Sequence, residues 1–256
     1  RRYYRGSLIK MKCIFLGTNG WYSTDLGNTS CILLESEEYY IILDAGDGIY
    51  KLNQYMNTTK PIKLFLTHFH LDHIIGFHVF SMLNSKEKIA VYGYNCSKDG
   101  LNILRHPYTA PLSELPIKVE INDLQEGTHN IPFTVTCKLL EHSDPCLGYR
   151  FELDNKVITY CTDTGPCANL NILAENADLL ITECSFKPGQ KKWGWPHLKP
   201  EEAAHVAKQG NVKRLVLTHF DANLYRTMRD RKNAESEAKE IFEDTLAAYD
   251  GLEMEL

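Results

Sequence analysis

The sequence predicts an α/β fold of the α+β kind, on three observations. Residues 67 to 73, Thr67-His68-Phe69-His70-Leu71-Asp72-His73, place four potential metal ligands in six positions between a strand-like apolar run and a helix-like one. Five apolar runs finish on a potential ligand or its support: His68, His142, Asp163, Glu183 and His219. Two amphipathic helices with recognisable caps stand near the C-terminal end.

Taken in order, Lys12 to Leu16 reads as a strand, and Gly17-Thr18-Asn19-Gly20 as a turn that lets backbone approach a ligand. Trp21, Tyr22 and Asp25 follow, to line a site or cover one. Thr29 to Leu34 and Tyr39 to Leu43 form a hairpin that ends in Asp44-Ala45-Gly46-Asp47-Gly48, with Asp44 the candidate for supporting a ligand. Ile62 to Leu66 is a buried strand, and Ile74, Ile75, Phe77, His78 and Phe80 trace a helix beyond the histidine motif. Ile89 to Tyr94 is a further strand. Residues 105 to 130, interrupted by Pro107, Pro111 and Pro116, read as loop with edge strands.

In the second half, Phe133 to Leu140 alternates like a strand and runs into His142. Tyr149 to Leu153 and Lys156 to Cys161 flank the two-residue turn Asp154-Asn155, a hairpin signature, and lead to Asp163. Leu179 to Thr182 ends at Glu183, and Arg214 to Thr218 ends at His219. Pro200 opens a helix that Gly210 closes. Ala234, Ala238, Ile241, Phe242, Thr245 and Tyr249 trace one face of a second helix, from Asn233 to Gly251, before a last strand, Leu252 to Leu256.

Hydrophobic content of 43% and charged content of 24% are ordinary globular values in a chain of 256 residues. A net charge of -5 gives no general field for nucleic acid or an anionic membrane. None of the eight cysteines forms a CxxC pair, which removes zinc-knuckle and thioredoxin-like readings. No run approaches the about 18 apolar residues of a membrane span, and a reducing cytoplasm is the expected location. Residues 1 to 10 look unlike a domain start and are expected to be a vector-derived or disordered leader, with a single domain over 11 to 256.

A strand-to-helix junction presents side chains at an open sheet edge, and imidazole with carboxylate suits zinc, manganese or iron. On an extended segment His68 and His70 point the same way, while Asp72 and His73 on the following turn point to a neighbouring position, so one motif can seed two metal sites.

These residues resemble the metallo-β-lactamase superfamily, whose HxHxDH signature stands here as His68, His70, Asp72 and His73, with His142, Asp163 and His219 in the family's order. Pro196-His197-Leu198-Lys199-Pro200, followed by Glu201-Glu202-Ala203-Ala204, is similar to a segment of its ribonuclease Z-like branch. The resemblance, over about residues 12 to 256, implies an αββα sandwich of two mixed β-sheets flanked by helices, with metals at one edge. It implies that His68, His70 and His142 hold one divalent ion, that Asp72, His73 and His219 hold the other, and that Asp163 bridges them, with zinc the first choice. It further implies a hydrolase in which Asp72 belongs to the catalytic centre, His197 serves a departing oxygen and Glu183 orients His197.

Two departures bear on the substrate. Ribonuclease Z enzymes that process transfer RNA carry an arm between the counterparts of His142 and Asp163, where only twenty residues stand here. Cys161-Thr162-Asp163 also replaces the usual Gly-Asp. The sequence therefore ranks a small or cyclic phosphodiester first, a ribonuclease Z-like nuclease second and a lactone or carboxyl-ester hydrolase third. A metal-binding sensor or scaffold is the non-enzyme alternative, and a homodimer is allowed. Lys187, Lys191, Lys192, Trp193 and Trp195 before His197, and Arg226, Arg229, Arg231 and Lys232 after His219, are candidate phosphate contacts or solvated loops; the second cluster reads rather as a solvated loop.

Overall fold

Alternation along the strands decides the layers. In Lys12–Gly17, Cys13 and Phe15 face one side and Ile14 and Leu16 the other, and all four are buried, so the sheet is covered on both faces. Leu179–Glu183 does the same, with Leu179 and Ile181 in the shared core and Leu180 under the outer helices. This is a computed structural model, and it describes residues 11–56, 60–83, 85, 87–96, 100–191 and 194–256. The leader expected over 1–10, and Lys192 and Trp193, lie outside the described residues.

One seven-stranded sheet has the order Glu253–Glu255, Lys12–Gly17, Cys31–Glu35, Tyr40–Leu43, Ile62–Phe65, Ile89–Gly93 and Val119–Asp123. The other runs Thr245–Ala247, Leu215–Thr218, Leu179–Glu183, Lys156–Cys161, Leu147–Leu153, Thr134–Leu139 and Gly127–Asn130. Both sheets are mixed, with antiparallel hairpins in one part and parallel pairs in the other. Their facing sides share one core, in which Phe65 touches Tyr92, Tyr149 and Phe151 with ring centroids 4.9 to 5.5 Å apart. Outside the first sheet lie 3₁₀ helices Asp47–Gln54 and Ile75–Met82; outside the second lie α-helices Ala168–Ala174, Pro200–Gln209 and Met228–Lys239. Among the described residues no helix is long and apolar enough to cross a membrane. The α+β sandwich of two mixed sheets with flanking helices is thus the fold the sequence implied.

Several local expectations need correction. The long helix from Asn233 to Gly251 does not form. The helix is Met228–Lys239, opened by a capping box in which Thr227 accepts from Asp230 N. Beyond Glu240, Thr245–Ala247 pairs in parallel with Leu215–Thr218 and adds an edge strand, so ladder hydrogen bonds override the helical pattern. The α-helix is confined to Leu71–Ile74, overlapping the histidine motif. The chain then tightens into 3₁₀ turns where Gly76 N–H donates to Ala45 O at 2.8 Å. By contrast, residues 105 to 130 do hold the expected edge strands, Val119–Asp123 and Gly127–Asn130, each at the end of its sheet. Within the expected turn at 17 to 20, Asn19–Gly20 pairs with Phe220–Asp221. All eight cysteines are free thiols, seven of them buried.

Candidate metal centre and active site

Strand ends deliver the polar residues to one edge of the sandwich. Asp44 follows Tyr40–Leu43, the histidine motif follows Ile62–Phe65, Asp163 follows Lys156–Cys161, Glu183 closes Leu179–Glu183, and His219 follows Leu215–Thr218. His68, His70, His142 and Asp163 offer ligand atoms within 4.8 Å of one another, and so do Asp72, His73 and His219.

Asp163 stands between the two groups. Its Oδ2 lies 3.8 Å from His68 Nε2 and 3.9 Å from His142 Nε2, while its Oδ1 lies 3.4 Å from His73 Nε2 and 3.1 Å from His219 Nε2. Asp72 Oδ2 is 3.3 Å from His219 Nε2 and accepts from Trp21 N–H at 2.8 Å. The first group also brings His70 Nδ1 to 3.4 Å from His142 Nε2.

The surrounding residues fix which ring nitrogens face inward. His73 Nδ1 is 2.9 Å from Asp44 Oδ2, His70 Nε2 is 2.9 Å from Asp144 Oδ2, and His219 Nδ1 is 3.2 Å from Ser185 Oγ. A proton on each of those nitrogens leaves a lone pair on the opposite one, directed into the cluster. His73 Nε2 and His219 Nε2 then face each other at 3.2 Å, and buried His68 Nε2 has no hydrogen-bond partner among the described residues. Lone pairs brought together this way need a shared cation, so the residues present fit divalent metal ions.

The electrostatics agree. Burial, and then the charge of His73, hold His68 well below the usual histidine range, so it stays neutral and able to ligate. Burial also opposes charge on His73, but Asp72, Asp44 and Asp163 outweigh it and raise that ring well above the usual range. The position collects positive charge. Burial likewise opposes ionisation of Asp163, yet His219, His73 and His68 keep the carboxyl well below its usual range.

Asp44 also accepts from Thr67 N at 2.8 Å and Tyr160 Oη at 2.8 Å, so it ties the histidine motif to the opposite sheet. Asp44→Ala is expected to weaken metal binding by about 10- to 100-fold, since groups that orient ligating histidines typically matter by that factor. A chelator-competition titration measures it.

Glu183 is fully buried and saturated. Its Oε1 lies 2.8 Å from His197 Nδ1 and accepts Thr164 N–H at 2.6 Å, while its Oε2 accepts Ser185 and Leu198 N–H at 3.2 Å. Burial works against a charged His197, but the Glu183 carboxylate outweighs it and pushes the ring up to about 9. The His197 ring lies between the two groups, its centroid 5.7 Å from that of His142 and 6.3 Å from that of His219. A cavity of about 600 Å³ opens over them, with Trp21, Trp195 and Phe186 among its walls. Gly20 is required beside it, because a Cβ there would come within 2.5 Å of the His219 ring.

All seven expected metal ligands, together with His197 and Glu183, therefore converge on one cleft. Sequence reading missed Asp144 and Ser185, which sit on connections without periodicity. Thr162, where a glycine is usual in the resembling family, is buried and donates to Asp163 Oδ1 at 3.0 Å. In the second basic cluster Arg231 does not face solvent and so is withdrawn from any phosphate surface. Arg231 is fully buried against Phe220 and donates to Thr18 Oγ1, Arg226 bonds Asn223, and Lys232 pairs with Glu235.

Comparison with known proteins places this geometry. Ribonuclease Z of Nitrosopumilus maritimus is 28% identical, covering 96% of this chain and all of the relative, and that of Bacillus licheniformis is 26% identical over 96% and 99%. The metallo-β-lactamase fold protein YhfI of Bacillus subtilis superposes with a TM-score of 0.80 at 24% identity, covering 96% of this chain and 99% of its own. Human tRNase Z, short form, gives 0.73 at 24% identity over 95% and 98%. The family model described as the beta-lactamase superfamily domain matches residues 39–220. Since that match spans most of the sandwich and all seven clustered ligands, the chain belongs to the metallo-β-lactamase superfamily and is a dinuclear metal-dependent hydrolase of it.

Proposed function

We propose that the protein hydrolyses phosphodiesters of single-stranded RNA, in the manner of ribonuclease Z, with two zinc ions as its metals and manganese or iron as the alternatives. The observation that carries this reading is the His197–Glu183 pair set over the two ligand groups. A held, protonated ring at that place can donate to a departing oxygen and also set positive charge beside a phosphate, which stays anionic throughout the displacement. Ribonuclease Z is also the name borne by relatives that match along 96% of the chain. This reverses the sequence-based ranking, which put small or cyclic phosphodiesters ahead of the nuclease.

His68, His70 and His142 would hold one ion and Asp72, His73 and His219 the other, with the two oxygens of Asp163 divided between them. Ions so held supply an activated water near neutral pH and neutralise charge on the phosphate. His197, with its Nδ1 proton on Glu183, keeps Nε2 free to donate to the leaving oxygen and to place positive charge beside the phosphate. Glu183 is a positioning residue, since its own oxygens are occupied by four protein donors.

A second reading, a small or cyclic phosphodiester, rests on the connection between His142 and Asp163. Strands Leu147–Leu153 and Lys156–Cys161 are joined by Asp154 and Asn155 alone, both at positive φ, which leaves no arm for gripping a folded RNA. The alignment with the Bacillus licheniformis relative runs over 309 residues, more than this chain possesses, so the relative carries inserted segments. Parallel assays on an unstructured RNA, a transfer-RNA precursor, a cyclic nucleotide and a lactone test both readings. Fastest turnover of RNA is expected. Exclusive turnover of the cyclic nucleotide would install the second reading, and faster lactone hydrolysis would overturn both.

A further inference from the structure

Two tryptophans stand at the mouth of the cavity, and the hydrolytic chemistry uses neither. Trp21 is 66% exposed and Trp195 57%, and both line the space above the ligand groups. Indoles this exposed add little to the core. Trp21 also occupies a backbone conformation that bulky residues seldom adopt. Its φ is 73°, and Tyr22 N–H donates to Gly20 O at 3.0 Å, which makes it the centre of a three-residue turn of the strained, positive-φ form.

The neighbours explain the turn; the indole itself meets the edge of the Tyr22 ring, with centroids 5.3 Å apart, and stays largely exposed. Gly20 is pressed against the His219 ring, and the Trp21 N–H must reach Asp72 Oδ2. Glycine at position 21 would make the same turn and the same backbone bond without strain. Strain retained at an exposed aromatic in a catalytic cleft points to a ligand for that side chain. Among the described residues that line the cavity there is no lysine or arginine, and nearby Lys187 is bound to Asp230, so recognition by stacking suits this mouth.

We propose that Trp21 and Trp195 are stacking walls for the nucleobases on either side of the scissile phosphate in a single-stranded oligonucleotide. The assignment rests on the phosphodiesterase reading. Trp195 lies two residues before His197, so its base belongs to the nucleoside that carries the departing oxygen. Trp21 is bonded through its backbone to Asp72 and takes the base on the opposite side. Stacking is indifferent to base identity, so binding is weakly sequence-dependent.

The test is tryptophan fluorescence quenching of the metal-loaded protein by a phosphorothioate-linked hexanucleotide, and by the same hexamer lacking two central bases. The base-bearing hexamer is expected to bind about 30-fold more tightly or better, since each base stacked on an aromatic ring contributes about 5- to 100-fold. W21G and W195A should each lose part of that preference while binding the abasic hexamer as the parent does, and the W21F and W195F variants should retain it. W21G should unfold at or above the parent's Tm, because it relieves strain. Equal binding of both hexamers, undiminished preference in both variants, or a lower Tm of W21G would overturn the proposal. Base-dependent binding without cleavage of any phosphodiester would support the walls and overturn the hydrolytic reading instead, so the two failures are distinct.

Discussion

Asp163→Ala is expected to lose both metal ions together and to lower turnover by more than about 10³-fold, a larger effect than removing a single stabilising donor. The reason lies in the division of its oxygens, with Oδ2 toward His68 and His142 and Oδ1 toward His73 and His219. Each group would lose one ligand and regain a repulsion, because Asp163 is the anion that balances the rings on both sides. Metal analysis beside steady-state kinetics reads the result. Loss of one ion with the other retained would mean that Asp163 serves only one position.

His197→Ala should keep both metals and lose about 10²- to 10⁴-fold in phosphodiester turnover, the range for general acid catalysis. The ligand set is complete without this residue, and its Nδ1 is engaged by Glu183. The loss should shrink for p-nitrophenyl phosphodiesters, whose leaving group needs little protonation. The pH profile supplies an independent reading. Glu183 raises His197 above its ordinary value, to about 9, so the proton to be donated is present below that pH and lost as pH rises through it. The parent should therefore show an alkaline fall in kcat near pH 9 that His197→Ala lacks. A uniform loss across leaving groups, with the alkaline limb unchanged, would limit His197 to binding phosphate.

Much of this centre was legible because its residues sit where buried strands stop. Contiguous apolar runs such as Leu179–Glu183 announce their ends, and the Asp154-Asn155 pair announces its hairpin, both residues adopting the positive φ that such a turn requires. Asp44 could be singled out in advance for the same reason, as the acid at the end of Tyr40–Leu43. Asp144 could not, since its link to His70 depends on how a short connection folds back 74 positions along the chain. The C-terminal helix was misplaced because Ala234, Ala238, Ile241 and Phe242 keep a helical spacing into a segment whose last residues complete a sheet. The signal that fixes its start was present in Thr227 and Asp230, three apart as a capping box requires. Arg231 reads from sequence as one of four neighbouring surface cations, and only the packing of the helix on Phe220 turns it inward.

On this geometry one carboxylate, Asp163, is expected to join two metal positions in a single hydrolytic centre. Anomalous diffraction from crystals of protein loaded with zinc would locate both. Two peaks per chain are expected, one among His68, His70 and His142 and one among Asp72, His73 and His219, each next to a different oxygen of Asp163. A single peak under zinc excess, or two peaks of which one lies away from Asp163, would contradict it.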